Sequence, residues 1–492
     1  MPTDSHLEWT EIRDFTPGYW EVGDIYMPPN AAQTMTDCFP MKQGGLRAWF
    51  KPTTFPTTGI DSVSDETPLA LFAHENLINR SGNGVGNDYY LITWAAGAAV
   101  TKVYRMDQTA AGPPTTWTKI KTHATGLQPT QPLHVCNYVL TDGTRYFVYG
   151  LGAGNGADAG VWIVKYSDGT LTQLTTGQQA IVANYQSRLI IAGTVSNGNA
   201  GTIQFTDPGL LTNINTNEAP VDESEGLMDI SGFATFSPGD LMVFKSGAPI
   251  YLVQGDLTNY MVRQMNGSVP GGIKPVRGPA GVIFTARGRV YSSPDGSQIQ
   301  LLTEQIKTGS LGGNKLTFHD HWLWFGRNGL IMDTDTGAIF KTSQITTTSR
   351  DPVIELAPGD GFMFANSASS MQLWTVQTSD GSTTGRCESY TWKSSPIRHP
   401  TGRQIEIRAV EVYARSRNGA TSTVAVTVNG VTQTRACDVS NRGALMFYFM
   451  GRGEYLDVQV VSASNASGVE APIIEVVRIG AQGGHYLPAV NN

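Results

Sequence analysis

His319 and His321, on either side of Asp320, are the place in this chain where two imidazoles sit close together. Residues two apart in a β-strand face the same side, so the pair is geometrically suited to be half of a metal site. The flanking Leu316, Phe318, Trp322 and Trp324 fit equally well a strand that ends in polar residues. The carboxylates Asp61, Asp65 and Glu66, and Asp222, Glu223 and Glu225, fall in turn-like contexts where solvated charge is the ordinary reading. Glycoside cleavage would need two such groups about 5 to 10 Å apart in a cleft.

Other chemical motifs fail on spacing or context. The Ser/Thr-x-Asp-x-Gly-x-Thr-Trp box of sialidase blades is not met, because Thr378-Ser-Asp-Gly-Ser382 places its glycine one position early. Asp333-Thr-Asp-Thr-Gly337 lacks the leading hydroxyl. His74-Glu75 is followed by Ile78 where a zinc-protease helix carries its second histidine. No G-x-S-x-G elbow and no G-x-x-x-x-G-K-S/T loop occurs. Gly152, Gly154 and Ala157 meet the loose spacing of a dinucleotide loop, but Asp158-Ala-Gly160 and the strand-like Val161-Trp-Ile-Val164 follow them. A phosphate would find no helix N-terminus there. We assign no catalytic, cofactor-binding or metal-binding residue from the sequence, and the chain is read as a non-enzyme.

The composition indicates which elements must carry these residues. Charged side chains are 15% of 492 residues, against about 25% in an average protein. Glycine, with 55 residues, is enriched, so short strands and tight turns are expected rather than Glu- and Lys-rich helices. Thirty-four basic against forty-one acidic side chains leave −7 with no basic run, which disfavours a surface that grips nucleic acid. The first residues lack a secretory apolar core, and no run approaches the 18 apolar residues of a membrane span. A soluble chain with no membrane insertion is expected. Cys38, Cys136, Cys387 and Cys437 have no zinc-type spacing and are read as reduced thiols, with Cys387 and Cys437 close enough in sequence to share a late domain.

Four regions follow. Residues 1–65 are dense in proline and glycine and predict an extended arm. Its aromatics, Trp9, Phe15, Tyr19, Trp20, Tyr26, Trp49 and Phe50, must lie against the body or a neighbouring subunit. Over 66–384, strand-like runs recur at roughly 40 residues, the period of propeller blades. Tyr166-Ser-Asp-Gly-Thr170, Ser293-Pro-Asp-Gly-Ser297 and Asp333-Thr-Asp-Thr-Gly337 place Asp and Gly where hairpins turn. The expectation is an all-β protein with a β-propeller of six or seven blades, a pair of β-sandwiches being the competing architecture. Residues 385–482 show period-two alternation, as in Val424, Val426 and Val428 before Asn429-Gly430, and predict a C-terminal β-sandwich. Residues 483–492 read as a flexible tail.

Tyr185-Gln-Ser-Arg-Leu-Ile-Ile-Ala-Gly193, Gln204-Phe-Thr-Asp-Pro-Gly209, Leu241-Met-Val-Phe-Lys245, Ile250-Tyr-Leu-Val-Gln-Gly-Asp256 and Gly281-Val-Ile-Phe-Thr285 resemble the propeller of tail proteins from tailed bacteriophages. They are most similar to the nozzle, or tail-stabilisation, proteins of short-tailed phages. Asp14-Phe-Thr-Pro-Gly18, Pro28-Pro-Asn-Ala-Ala-Gln33 and Gly44-Gly-Leu-Arg47 resemble the arm before that propeller, and Trp392-Lys-Ser-Ser-Pro396 resembles the lead-in to its sandwich. The resemblance spans most of the chain through motifs that strand-and-turn chemistry can reproduce independently. It implies a virion tail component assembled in the host cytoplasm as a homo-oligomeric ring, six-fold in the nozzle proteins. Its partners would be copies of itself and a tail adaptor, with genomic DNA passing through transiently. Six copies at −7 each would carry about −42, which favours repulsion of phosphates over adhesion. The resemblance carries over no catalytic residue or cofactor. The alternatives are a minor tail-tip protein or a receptor- or glycan-binding propeller using loops 152–159 and 195–201, although those loops lack an aromatic platform for sugars.

Overall fold

The computed structural model describes residues 7–21, 27–28, 30–76, 86–106, 116–129, 133–152, 156–177, 181–192, 201–221, 229–237, 239–245, 247, 249–265, 275–278, 281–296, 298–306, 316–325, 329–343, 353–355, 361–366, 371–378, 385–398, 404–416, 422–437 and 444–482. They are nearly all strand and turn, and the single helical element among them is a 3-10 turn at Gly156–Asp158.

Four-stranded antiparallel sheets follow one another along the chain. Sheet I holds Glu66–Asn76, Gly86–Ala95, Val100–Met106 and Thr118–His123. Sheet II holds Val135–Val139, Arg145–Leu151, Gly160–Lys165 and Leu171–Gln173, and sheet III Ile181–Tyr185, Arg188–Ala192, Thr202–Phe205 and Glu218–Pro220. Sheet IV holds Ile230–Ser237, Asp240–Lys245, Ile250–Asp256 and Asn259–Gln264, and sheet V Val276–Gly278, Gly281–Ala286, Arg289–Ser293 and Gln300–Leu301. Thr317–His319, Trp322–Trp324, Leu330–Asp333 and Ile339–Lys341 make sheet VI. In sheet VII, Val353–Glu355, Gly361–Asn366 and Gln372–Gln377 are joined by Thr53–Phe55 from the beginning of the chain. The first strand of each sheet lies against the first strand of the next, and that of sheet VII returns to that of sheet I. This closed circuit of inner strands is a β-propeller arrangement.

Position in the circuit explains the sequence of each strand. Middle strands such as Arg188–Ala192 are buried along their whole length, since both faces pack on neighbouring sheets, and therefore read as unbroken apolar runs. Outer strands such as Asn259–Gln264 are mostly exposed. The hairpins form where Asp-Gly and Asn-Gly signalled them. Gly169 and Gly337 have φ of 75° and 76°, and Asn429 and Gly430 both take positive φ, as a two-residue type I′ turn requires.

The N-terminal segment is woven into the body. Ala32–Thr36 bridges sheet VI to a C-terminal layer, pairing parallel at Thr36↔Lys341 and antiparallel with Ser389–Ser394. That layer continues through Val458–Ser464, Ser422–Val428 and Val431–Cys437. A second layer runs Cys38–Pro40, Leu46–Ala48, Ile473–Gln482, Ile405–Arg415 and Ala444–Gly453, with Glu8–Ile12 also on Ile473–Gln482. Val424, Val426 and Val428 point into the core between the layers, as their alternation demands. Phe15, Trp49 and Phe50 are buried in the same core, so these aromatics meet the expectation of a covered arm through the chain's own body. The tail at 483–492 lies outside the described residues.

Candidate functional site at the junction cavity

The N-terminal hairpin, sheet VI and the second C-terminal layer border an open cavity of about 640 Å³. Its charged lining includes Lys42, Arg47, Asp333, Asp335, Arg415 and Glu475. Most of these charges are paired. Lys42 Nζ lies 2.6 Å from Asp335, Arg415 Nε lies 3.2 Å from Glu475, and Arg47 Nε donates to the buried Glu470 at 2.7 Å. The Lys42 ammonium holds the Asp335 carboxyl below its ordinary range. Arg386, also in the wall, has its guanidinium carbon 4.1 Å from the centre of the Phe50 ring and donates to the Ala48 carbonyl.

Sheet VI rearranges the histidine motif. The first strand stops at His319, and Asp320, with φ of 55°, and His321 form the turn back to Trp322. The same-face rule for a strand therefore does not apply to His319 and His321, and the two-histidine arrangement that the spacing allowed is not formed. His319 is buried, while His321 sits at the cavity with Nδ1 2.5 Å from Asp320 Oδ2. Its partners are instead Asp333 and Asp335 from the next hairpin, with one donor atom from each of the three residues within 4.8 Å of the others. The missed signal was the Asp333-x-Asp335 turn, which the sequence shows and which the antiparallel pairing His319↔Trp322↔Asp333 brings alongside His321.

The other candidates resolve as structural groups. Glu66 is buried rather than solvated, which corrects that expectation. It accepts hydrogen bonds from Thr93 Oγ1 at 2.6 Å, Lys102 Nζ at 2.8 Å, Tyr104 OH at 2.9 Å and the Ser62 amide at 3.2 Å. Asp61 meets the same Lys102 ammonium at 3.0 Å and Lys119 at 2.6 Å. The two carboxylates thus converge on one cation. Hydrogen bonds from Lys119 and Lys102 hold Asp61 below its ordinary range, the opposite of what a glycosidic general acid needs. Asp65 accepts from the Gly97 amide at an exposed turn. His74 and Glu75 lie in a strand, not a helix. Gly152 and Ala157 belong to a hairpin closed by the Leu151↔Gly160 pair. Asp222, Glu223, Glu225, Gly154, most of the 195–201 loop and the later part of the Thr378 motif fall outside the described residues.

A buried Asp–His–Tyr contact in sheets I and II resembles a relay. His123 Nε2 lies 2.9 Å from Tyr149 OH, and Nδ1 lies 3.5 Å from Asp158. Burial lowers the imidazole to about 4 despite Asp158, and it pushes the Tyr149 phenol up. Both side chains are fully buried, so the group can fix the sheets but cannot meet a substrate. The four cysteines are free thiols, and Cys38, Cys387 and Cys437 are buried.

No family model and no curated protein matches this chain. Solved structures that share features of the fold include the β-propeller domain of Cps50 (Swd1) from Myceliophteria thermophila, at 9% identity over 66% of this chain and 100% of that chain, TM-score 0.41. YCF48 bound to D1 peptide aligns at 13% identity over 68% and 96%, TM-score 0.38. An exo-β-1,3-galactanase from Phanerochaete chrysosporium aligns at 10% identity over 83% and 100%, TM-score 0.27. Likenesses this distant carry no argument about function, and the propeller arrangement rests on the strand pairing described above.

Proposed function

We propose that this chain is a structural protein of a bacteriophage tail that assembles with copies of itself into a nozzle-like ring forming part of the DNA-ejection conduit. In this reading the propeller has seven blades, the seventh closed by Thr53–Phe55, and the two C-terminal layers are a β-sandwich. Tail adaptor proteins are its further partners and the virion tail is its location. It is not an enzyme. Glu66 is locked in hydrogen bonds and His123 is sealed in the core, so neither of these two groups is placed to act on a substrate.

The observation that carries the reading is where large apolar side chains remain in water. Tyr448 and Met450, 64% and 84% exposed, stand on the edge strand of the second C-terminal layer, with Val431 and Tyr455 exposed in neighbouring strands. Met261 is 70% exposed on the outer strand of sheet IV. Two different surfaces of one chain that both expose apolar side chains suit head-to-tail association, which gives a ring where the rotation between copies closes and an open filament where it does not. Light scattering and negative-stain imaging of the purified chain, alone and with lysate-free adaptor protein, test this. Rings that dissociate in Tyr448→Ser/Met450→Ser support the proposal. A monodisperse monomer up to high micromolar concentration, unchanged by these substitutions and by adaptor, refutes it.

A further inference from the structure

We propose that His321, Asp333 and Asp335 form a binding site for one divalent cation of the Mn²⁺ or Zn²⁺ type on the wall of the junction cavity. The site is independent of the tail reading. Ligand atoms held about 2.0–2.2 Å from one ion lie roughly 3–4.4 Å from each other. Three donors on one tetrahedral ion sit about 3.3–3.6 Å apart, so a set that already lies within 4.8 Å has to draw in by at most about 1.5 Å.

Asp333 supplies the independent reason for a cation. The residue is 4% exposed, and its carboxylate accepts only from neutral donors, the Asp335 amide at 3.0 Å and the Thr336 hydroxyl at 2.8 Å. No Lys, Arg or His nitrogen among the described residues lies within ion-pair distance of it, and a second carboxylate, Asp335, stands beside it. A buried anion with a like-charged neighbour and no counter-ion in contact is unfavourable, and a dication removes that cost.

The nearest positive charge is a stand-in. Lys42 reaches Asp335 from an exposed turn of the N-terminal hairpin, its own side chain 68% exposed. Such a lysine is readily displaced, and its departure would leave cavity-facing coordination positions to water. Asp320 holds His321 Nδ1, the arrangement that orients imidazoles in metal centres, and Nε2 is the nitrogen it does not engage. One imidazole with two carboxylates suits Mn²⁺ or Zn²⁺ better than Ca²⁺ or Mg²⁺, which prefer oxygen alone.

The test uses the untagged full chain, stripped with EDTA and dialysed, titrated with Mn²⁺ and Zn²⁺ by calorimetry, with free Mn²⁺ counted by electron paramagnetic resonance. One ion per chain is expected. Asp333→Asn alters a buried group and risks unfolding, so the surface-accessible His321→Ala and Asp335→Asn carry the decision, each expected to weaken binding at least tenfold. Lys42→Met should tighten it several-fold by removing the competing cation. Absence of saturable binding, or stoichiometric binding that neither His321→Ala nor Asp335→Asn weakens, overturns the site. Unchanged or weaker binding in Lys42→Met overturns the stand-in role.

Discussion

Replacing Glu470 by glutamine should destabilise the junction between the N-terminal hairpin and the C-terminal layers far more than breaking an exposed ion pair nearby. Glu470 is 1% exposed and faces Arg47 Nε at 2.7 Å and Arg386 Nε at 3.7 Å, whose side chains are 9% and 1% exposed. Glutamine keeps the shape but removes the charge that offsets two desolvated guanidinium groups. Breaking a buried pair costs roughly 3–5 kcal/mol. Lys51–Glu388, with side chains 44% and 33% exposed, belongs to the class worth about 0–1 kcal/mol. Urea unfolding followed by tryptophan fluorescence is the appropriate assay, since Trp49 and Trp392 are buried in this core and urea does not screen charge. Glu470→Gln should lose about 3 kcal/mol or more, with little dependence on salt, and Lys51→Met less than about 1 kcal/mol. Equal losses in the two variants, both under about 1 kcal/mol, would refute the view that burial decides the strength of these pairs.

Two further outcomes follow from buried titratable groups. His123 titrates at about 4 in the folded chain because burial penalises its charged form, against 6.5 ordinarily. The unfolded chain then binds the extra proton between those values, so stability is full above about 6.5 and falls as the pH drops toward 4, by up to about 3 kcal/mol. His123→Gln should flatten that part of the stability-versus-pH curve, and an unchanged slope would contradict the assignment. Burial likewise pushes the Cys38 and Cys387 thiols up, and desolvation raises that of the partly covered Cys136 to about 12. These three should resist a thiol reagent at pH 8 in the native protein and react once it is unfolded, as read by absorbance of the released chromophore. Rapid native labelling of Cys136 would contradict its environment.

Much of the fold was legible because its signals are local. Asn429-Gly430 requires positive φ whatever surrounds it, and the alternation of Val424, Val426 and Val428 assigns one face to a core before the core is known. The same locality explains the misjudged carboxylate. Glu66 follows a turn-like stretch and looked solvated, but three of its four donors come from neighbouring strands that only sheet I brings together. His319 and His321 were read as strand neighbours because nothing in the residues marks where a three-residue strand ends.

By itself the amino-acid sequence determined the strand-rich character of this chain, its hairpin turns and the periodic apolar runs, since these depend on backbone preferences and on neighbours a few positions away. Tertiary structure alone decided that Thr53–Phe55 would pair with Gln372–Gln377 and that Arg47 would meet Glu470. A three-residue strand and a lone charge carry no address for a partner hundreds of positions distant. Closure of the sheets and the need to compensate buried charge select that partner, and both act only once the chain is folded.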